Sequence, residues 1–201
     1  NVTTPLAIVP GSYVYLPGLT GSYMSTPDAA ALDITGDIDI RVKVALDDWT
    51  PSAAQVLLAK WTGGGSQRSY NLRIETAGTV SLQLSADGIN TAGSVSSAAT
   101  GVTDGAVKWI RATYRASDGR VQYFTSDDGS SWTQLGTDVS SGISSIYSST
   151  ATINVGSIND GTSALAAGKF YRAIIKDGID GTTVLDVDCS LITAVDQYAW
   201  T

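Results

Sequence analysis

The 201-residue chain has no histidine, one cysteine and one glutamate. Histidine is the side chain whose ordinary pKa suits proton transfer near neutrality, and it is the commonest metal ligand, so its absence removes both roles together. A lone Glu75 rules out the two-glutamate site of many glycosidases, although the 18 aspartates leave an aspartate pair open. The composition points to binding or structure and away from catalysis, with no cofactor expected. Cys189 has no partner in the chain, which excludes an internal disulfide; near Val187, Leu191 and Ile192 it reads as a small buried hydrophobe.

Long apolar runs are missing too. The longest, such as Val56 to Ala59 and Leu165 to Ala167, fall far short of the roughly 18 residues of a spanning helix, so no membrane insertion is expected. The chain starts at Asn1 without a basic and then apolar leader, which suggests a processed product or a piece of something longer. Basic charge is scarce: 12 lysines and arginines face 19 acids, for a formal charge of −7 and a pI near 4.3. That balance repels a phosphate backbone, which is held mainly by Lys and Arg, so nucleic acid is not an expected partner. A mass of 20.8 kDa suits a single β domain over residues 1–201, with 1–11 and 189–201 as terminal extensions.

What is present is period-two alternation. Ile38, Ile40, Val42 and Val44 interleave with Asp39, Arg41, Lys43 and Ala45, and Leu72 and Ile74 interleave with Asn71, Arg73 and Glu75. The same pattern marks 79–85, 108–115, 120–126, 151–157 and 169–176, about a dozen half-buried strands in all. Helical stripes are lacking; the best single turns are Asp28 to Leu32 and Ser141 to Tyr147. Gly63 to Gly65 and Ser94 to Thr103 read as longer, mobile polar loops. Asp87-Gly88, Asp118-Gly119, Asp128-Gly129, Asp177-Gly178 and Asp180-Gly181 are turn signals, so much of the acidic charge has a structural role. Calcium is the one exception left open, because it needs only oxygen ligands, although no Asp-x-Asp-x-Asp-Gly loop with a distal glutamate supports it. Short strands and Asp-Gly turns predict an all-β, antiparallel two-sheet jelly-roll sandwich.

Ala30 to Val42, Leu57 to Trp61, Tyr70 to Ile74, Trp109 to Tyr114 with Gly119 to Gly129, and Ala167 to Ile175 together resemble the concanavalin A-like jelly rolls of the laminin G type, over roughly residues 12 to 188. More narrowly they are similar to laminin G-like modules of phage structural or tail-associated proteins, especially of phages infecting actinobacteria. The resemblance implies two curved sheets with a groove used for sugars, protein partners or virion decoration. Catalytic relatives carry a Glu-x-Asp-x-Glu type strand; here only Asp37-Ile38-Asp39 and Asp186-Val187-Asp188 pair acids, which tells against hydrolysis.

Thr125-Ser126-Asp127-Asp128-Gly129-Ser130-Ser131-Trp132 fits an Asp-box, a self-contained hairpin in which Asp127 is expected to accept turn N–H groups and Trp132 to pack back. If the aliphatic residues face inward, Arg41, Lys43, Arg73, Trp109, Arg111 and Arg115 face outward. Cross-strand charge pairing is one reading; the sharper one is a groove for an acidic glycan or a partner loop. Arg41, Arg73 and Arg111, with Trp49 and Trp61 at strand ends, are the candidate ligand-binding residues, while Tyr198 and Trp200 suit docking on a neighbouring subunit or the next domain. The expected function is a non-catalytic module of a phage virion or of extracellular placement, with other virion proteins, copies of itself or a cell-surface glycan as partners. The alternative is a carbohydrate-binding module of a secreted bacterial enzyme or adhesin.

Overall fold

The computed structural model describes residues 8–9 and 13–191, so the terminal Tyr198 and Trp200 lie outside the described residues. Two antiparallel sheets stack face to face. The nine-stranded sheet runs β1 (Ile8–Val9), β2 (Tyr13–Pro17), β14 (Ala167–Asp177), β4 (Ile38–Leu46), β9 (Lys108–Arg115), β10 (Arg120–Ser126), β11 (Thr133–Gln134); β12 (Val139–Ser140) also pairs with β10, and β15 (Thr182–Asp188) with β14. The six-stranded sheet runs β3 (Met24–Thr26), β13 (Ile153–Val155), β5 (Gln55–Thr62), β6 (Gln67–Ile74), β7 (Thr79–Leu84), β8 (Ala92–Ala99).

The alternation explains the stacking. Ile38, Ile40, Val42 and Val44 of β4, with Ile110, Ala112 and Tyr114 of β9, turn inward against Tyr70, Leu72 and Ile74 of β6 and Val80, Leu82 and Leu84 of β7, all fully buried in one cluster. Each aliphatic side chain so enclosed contributes about 1.5–3 kcal/mol. Close approach is also needed: a Cβ on Gly168 would stand 2.4 Å from the Ala45 carbonyl oxygen where β14 lies against β4. Cys189 is buried at the core edge, and desolvation pushes its thiol up to about 11.

Among the described residues, one charged side chain enters the sandwich. Lys60 of β5 is 0% exposed, and its Nζ meets Asp33 at 2.5 Å and Asp28 at 2.7 Å. It also reaches the Leu32 carbonyl at 3.4 Å, so it ties the 3-10 turn Ala30–Leu32 to the sheet. That turn falls within the expected helical candidate at Asp28 to Leu32. The candidate at Ser141 to Tyr147 is irregular instead: Ile146 N–H donates to Thr35, Tyr147 N–H donates to Ser85, and Ile143 accepts from Tyr114 Oη, so its backbone groups are spent on other elements. The expected loop from Ser94 is largely strand β8. Its Gly, Ser and Ala residues carry no legible alternation, yet they pair along β7 through a register shift between Thr79 and Ser81.

No helix among the described residues is long and apolar enough to cross a membrane, and among them no group of three or more Cys, Asp or Glu converges on a metal position.

Candidate functional site

Strand register sets out the outer face of the nine-stranded sheet as three rows. Arg172 of β14 pairs with Lys43 of β4, Lys43 with Trp109 of β9, and Trp109 with Ser126 of β10. The next row is Ile174, Arg41, Arg111 and Phe124, and the third is Lys176, Asp39, Thr113 and Gln122. Period-two geometry puts all of them on one side.

Asp39 is 0% exposed although it sits on this outward face, because two guanidiniums enclose it. Arg41 donates Nε to Oδ1 at 3.0 Å and Nη2 to Oδ2 at 2.7 Å, and Arg111 makes the same two contacts at the same distances. Such fork geometry locks both arginines. Asp180, from the β14–β15 turn, reaches the same two guanidiniums from the solvent side, with Arg111 Nη2 at 2.9 Å from its Oδ1 and Arg41 paired with it as well. Desolvation pushes the Asp180 carboxyl up, but its hydrogen bonds and charge contacts with Arg111 and Arg41 outweigh this and hold it below the ordinary carboxylate range.

Aromatic rings line the same face. Arg41 and Arg111 lie 5.4 and 5.5 Å from the Trp132 ring centroid, and Arg111 lies 5.2 Å from that of Phe124. Toward β14 and β2 the pattern repeats, with Lys43 over Tyr171 at 5.4 Å, Lys169 over Tyr13 at 5.1 Å, and the two tyrosine rings 5.6 Å apart. Tyr13, Tyr171, Trp132, Lys43 and Lys169 are all half-buried, so a ligand can touch them.

The Asp-box hairpin delivers Trp132, with one correction. Asp128, not Asp127, accepts the turn: Ser130 and Ser131 N–H donate to its Oδ1 at 2.8 and 2.7 Å, while Asp127 pairs with Lys108. These backbone donors hold the Asp128 carboxyl far below its ordinary range. Trp132 then leaves the hairpin to meet Trp109 edge-on at 6.4 Å and 76°. A cleft of about 350 Å³ beside it is lined by Lys108, Thr125, Ser126, Asp127, Asp128, Ser131 and Thr133.

Of the five residues singled out in the sequence, the structure brings Arg41 and Arg111 together as direct register partners. Arg73 lies in the other sheet, on β6, where its Nε is 2.7 Å from Glu75. Trp61 is on β5 of that sheet, nearly buried beside Val56, Ala59, Ile158 and Ala164 and with Arg68 over its ring. Trp49 belongs to the core, its Nε1 donating to the Ala106 carbonyl at 3.3 Å. A single groove holding all five does not exist. Sequence reading missed Asp180, which looked like an ordinary Asp-Gly turn, and Tyr13 and Tyr171. The lone signal for Tyr171 was its place between Lys169 and Arg172 on a strand already identified.

No protein-family model and no curated relative matches the chain. Solved structures do. The CBM40 module of the Ruminococcus gnavus IT-sialidase, solved with α2,3-sialyllactose, superposes with a TM-score of 0.60 at 16% identity, covering 84% of this chain and 90% of that one. A heptameric SAP-like pentraxin of Limulus polyphemus superposes at 0.59 and 13% identity, covering 86% and 79%. The receptor-binding domain of a botulinum neurotoxin mosaic, serotype C/D, superposes at 0.57 and 7% identity, over 87% of this chain and 41% of that longer one. The fold is therefore a concanavalin-like jelly-roll sandwich. None of these neighbours is a virion protein, so the likeness gives the phage attribution no support.

Proposed function

We propose that this chain is a non-catalytic carbohydrate-binding module that holds a glycan against the outer face of its nine-stranded sheet. The observation that carries this reading is the row of half-buried rings, Tyr13, Tyr171 and Trp132, each with a Lys or Arg stationed over it. Flat apolar faces beside fixed donors suit a sugar, which offers C–H surface on one side and hydroxyl acceptors at its rim. The R. gnavus neighbour, of similar size and fold, is a CBM40 module bound to sialyllactose, and supports the same direction. Catalysis is a poor fit: Asp39 and Asp180, the acids at the centre of the face, are bridged by two arginines, and a lowered Asp180 pKa is the reverse of what a general acid needs. An extracellular placement follows from this reading. The virion setting implied by the sequence resemblance takes second place to it.

A glycan array followed by calorimetry tests the proposal. Tyr171→Ala and Lys43→Ala should each weaken the selected glycan by roughly tenfold, the share of a central contact, with the melting temperature nearly unchanged. Absence of any glycan binding, or binding indifferent to both changes, overturns it.

A further inference from the structure

We propose that Arg41 and Arg111 form a subsite for the carboxylate of an acidic sugar, and that the Asp180 side chain is an internal occupant which such a ligand displaces. This rests on the glycan-binding reading and deepens it.

Three features of the site carry the inference. First, the guanidiniums are held ready. Asp39 fixes both from below, and its Oδ2 also accepts the Asp180 N–H at 3.1 Å, so neither arginine depends on Asp180 for its orientation. Second, the charge is unbalanced without an outer acid. Two arginines against one buried aspartate leave a net +1 under Trp132, and one carboxylate neutralises it, whether it comes from Asp180 or from a ligand. A neutral hydroxyl would leave that charge uncompensated in a partly desolvated place. Third, Asp180 is built to leave. Its side chain is 66% exposed, whereas those of Arg41 and Arg111 are 12% and 8% exposed. It sits at a positive φ of 54° in a turn with Gly178 and Gly181 on either side, a conformation that an aspartate holds only at some cost.

A carboxylate that replaces Asp180 must out-compete a tethered acid, so the apparent affinity is the intrinsic affinity scaled down to the fraction of molecules in which the Asp180 side chain has swung out while its backbone N–H stays on Asp39. Removing the Asp180 charge should expose the full affinity. Asparagine tolerates positive φ and keeps the turn, which makes Asp180→Asn the informative variant.

The experiment is calorimetry of the wild type and Asp180→Asn with 3′-sialyllactose and with lactose, together with NMR of the arginine Nε–H signals during an acetate titration. Asp180→Asn is expected to bind sialyllactose at least about fivefold tighter with lactose unchanged, and Arg41→Gln in the same background should cancel the gain. Acetate should shift the Arg41 and Arg111 Nε–H signals in Asp180→Asn more than in the wild type. If glycans bind but the acidic and neutral sugars respond alike to Asp180→Asn, the subsite is refuted while the glycan reading stands. If no glycan binds, the glycan reading fails and the acidic-sugar subsite fails with it, and an acetate shift of both arginines in the variant then marks the pair as a carboxylate site for a ligand other than a sugar. Silence in both measurements overturns both.

Discussion

The Tyr123 hydroxyl crosses the sandwich interior to donate a 2.5 Å hydrogen bond to the Ser94 carbonyl, joining β10 of one sheet to β8 of the other. The same oxygen accepts the Leu82 N–H of β7 at 2.8 Å, close to where the β7–β8 register shifts, and Ser96 Oγ similarly accepts the Val80 N–H at 2.9 Å. Burial, opposed only in part by the Leu82 contact, pushes the Tyr123 phenol well above its ordinary pKa, so it stays a donor at any working pH. Tyr123→Phe keeps the ring and strands two buried backbone groups, which should cost about 1–3 kcal/mol. Urea unfolding with an unchanged m value checks this, and a loss below about 0.5 kcal/mol would mean that the two backbone groups find other partners.

Lys60 makes an asymmetric prediction. Its side chain is fully enclosed, whereas those of Asp28 and Asp33 keep 26% and 33% of their exposure. Water reaches both carboxylates, apart from the buried Asp28 Oδ1, but cannot reach the ammonium. Lys60→Met should therefore be the milder change, and Asp28→Ala with Asp33→Ala the harsher one, by more than about 1 kcal/mol. Equal losses in chemical denaturation would contradict the enclosure of the amine.

Alternation along β4, β6, β7 and β9 was enough to read the sandwich, because each branched residue announces its face. It could not reveal β8, whose Ala, Gly and Ser residues suit either face, or the irregular path of Ser141 to Tyr147, fixed by distant carbonyls. In the site, the outward phase of Arg41 and Arg111 was legible, but their pairing needed β4 and β9 to be neighbours. Arg73 obeys the same phase and belongs to the opposite sheet, a difference that no local pattern encodes. Asp39 was hidden for another reason: an acid at an outward strand position reads as solvated until the two arginines close over it.

Acid should reveal the turn aspartates. N–H donors from Asn90 and Ile89 hold the Asp87 carboxyl down to about 2, and Arg115 foremost does the same for Asp118. The ordinary aspartate value of 3.8 serves as the unfolded reference for both. A depressed folded pKa contributes stability that is present above the unfolded value and is lost as pH falls through the folded one. The melting temperature should thus hold down to about pH 4 and drop between there and about pH 2. Asp87→Asn combined with Asp118→Asn should lower the plateau and flatten the drop; a drop of unchanged steepness would assign it to other carboxylates.

Gly129 tests whether the Asp-box hairpin builds the candidate site or merely closes a turn. Its φ is +76°, and an added Cβ would lie 2.7 Å from Cε2 and 2.8 Å from Nε1 of Trp109, against which the hairpin rests. Gly101 has a similar φ of +64° with nothing within 4 Å of its added Cβ, so it isolates the backbone cost. Alanine at either position should cost about 1–2 kcal/mol from the left-handed backbone alone. Gly129→Ala must in addition push the hairpin off Trp109 and carry Trp132 away from Arg41 and Arg111. Near-ultraviolet circular dichroism should change, and glycan affinity should fall, in Gly129→Ala only. If Gly101→Ala loses affinity equally, Trp132 owes its place over the arginines to something other than this contact.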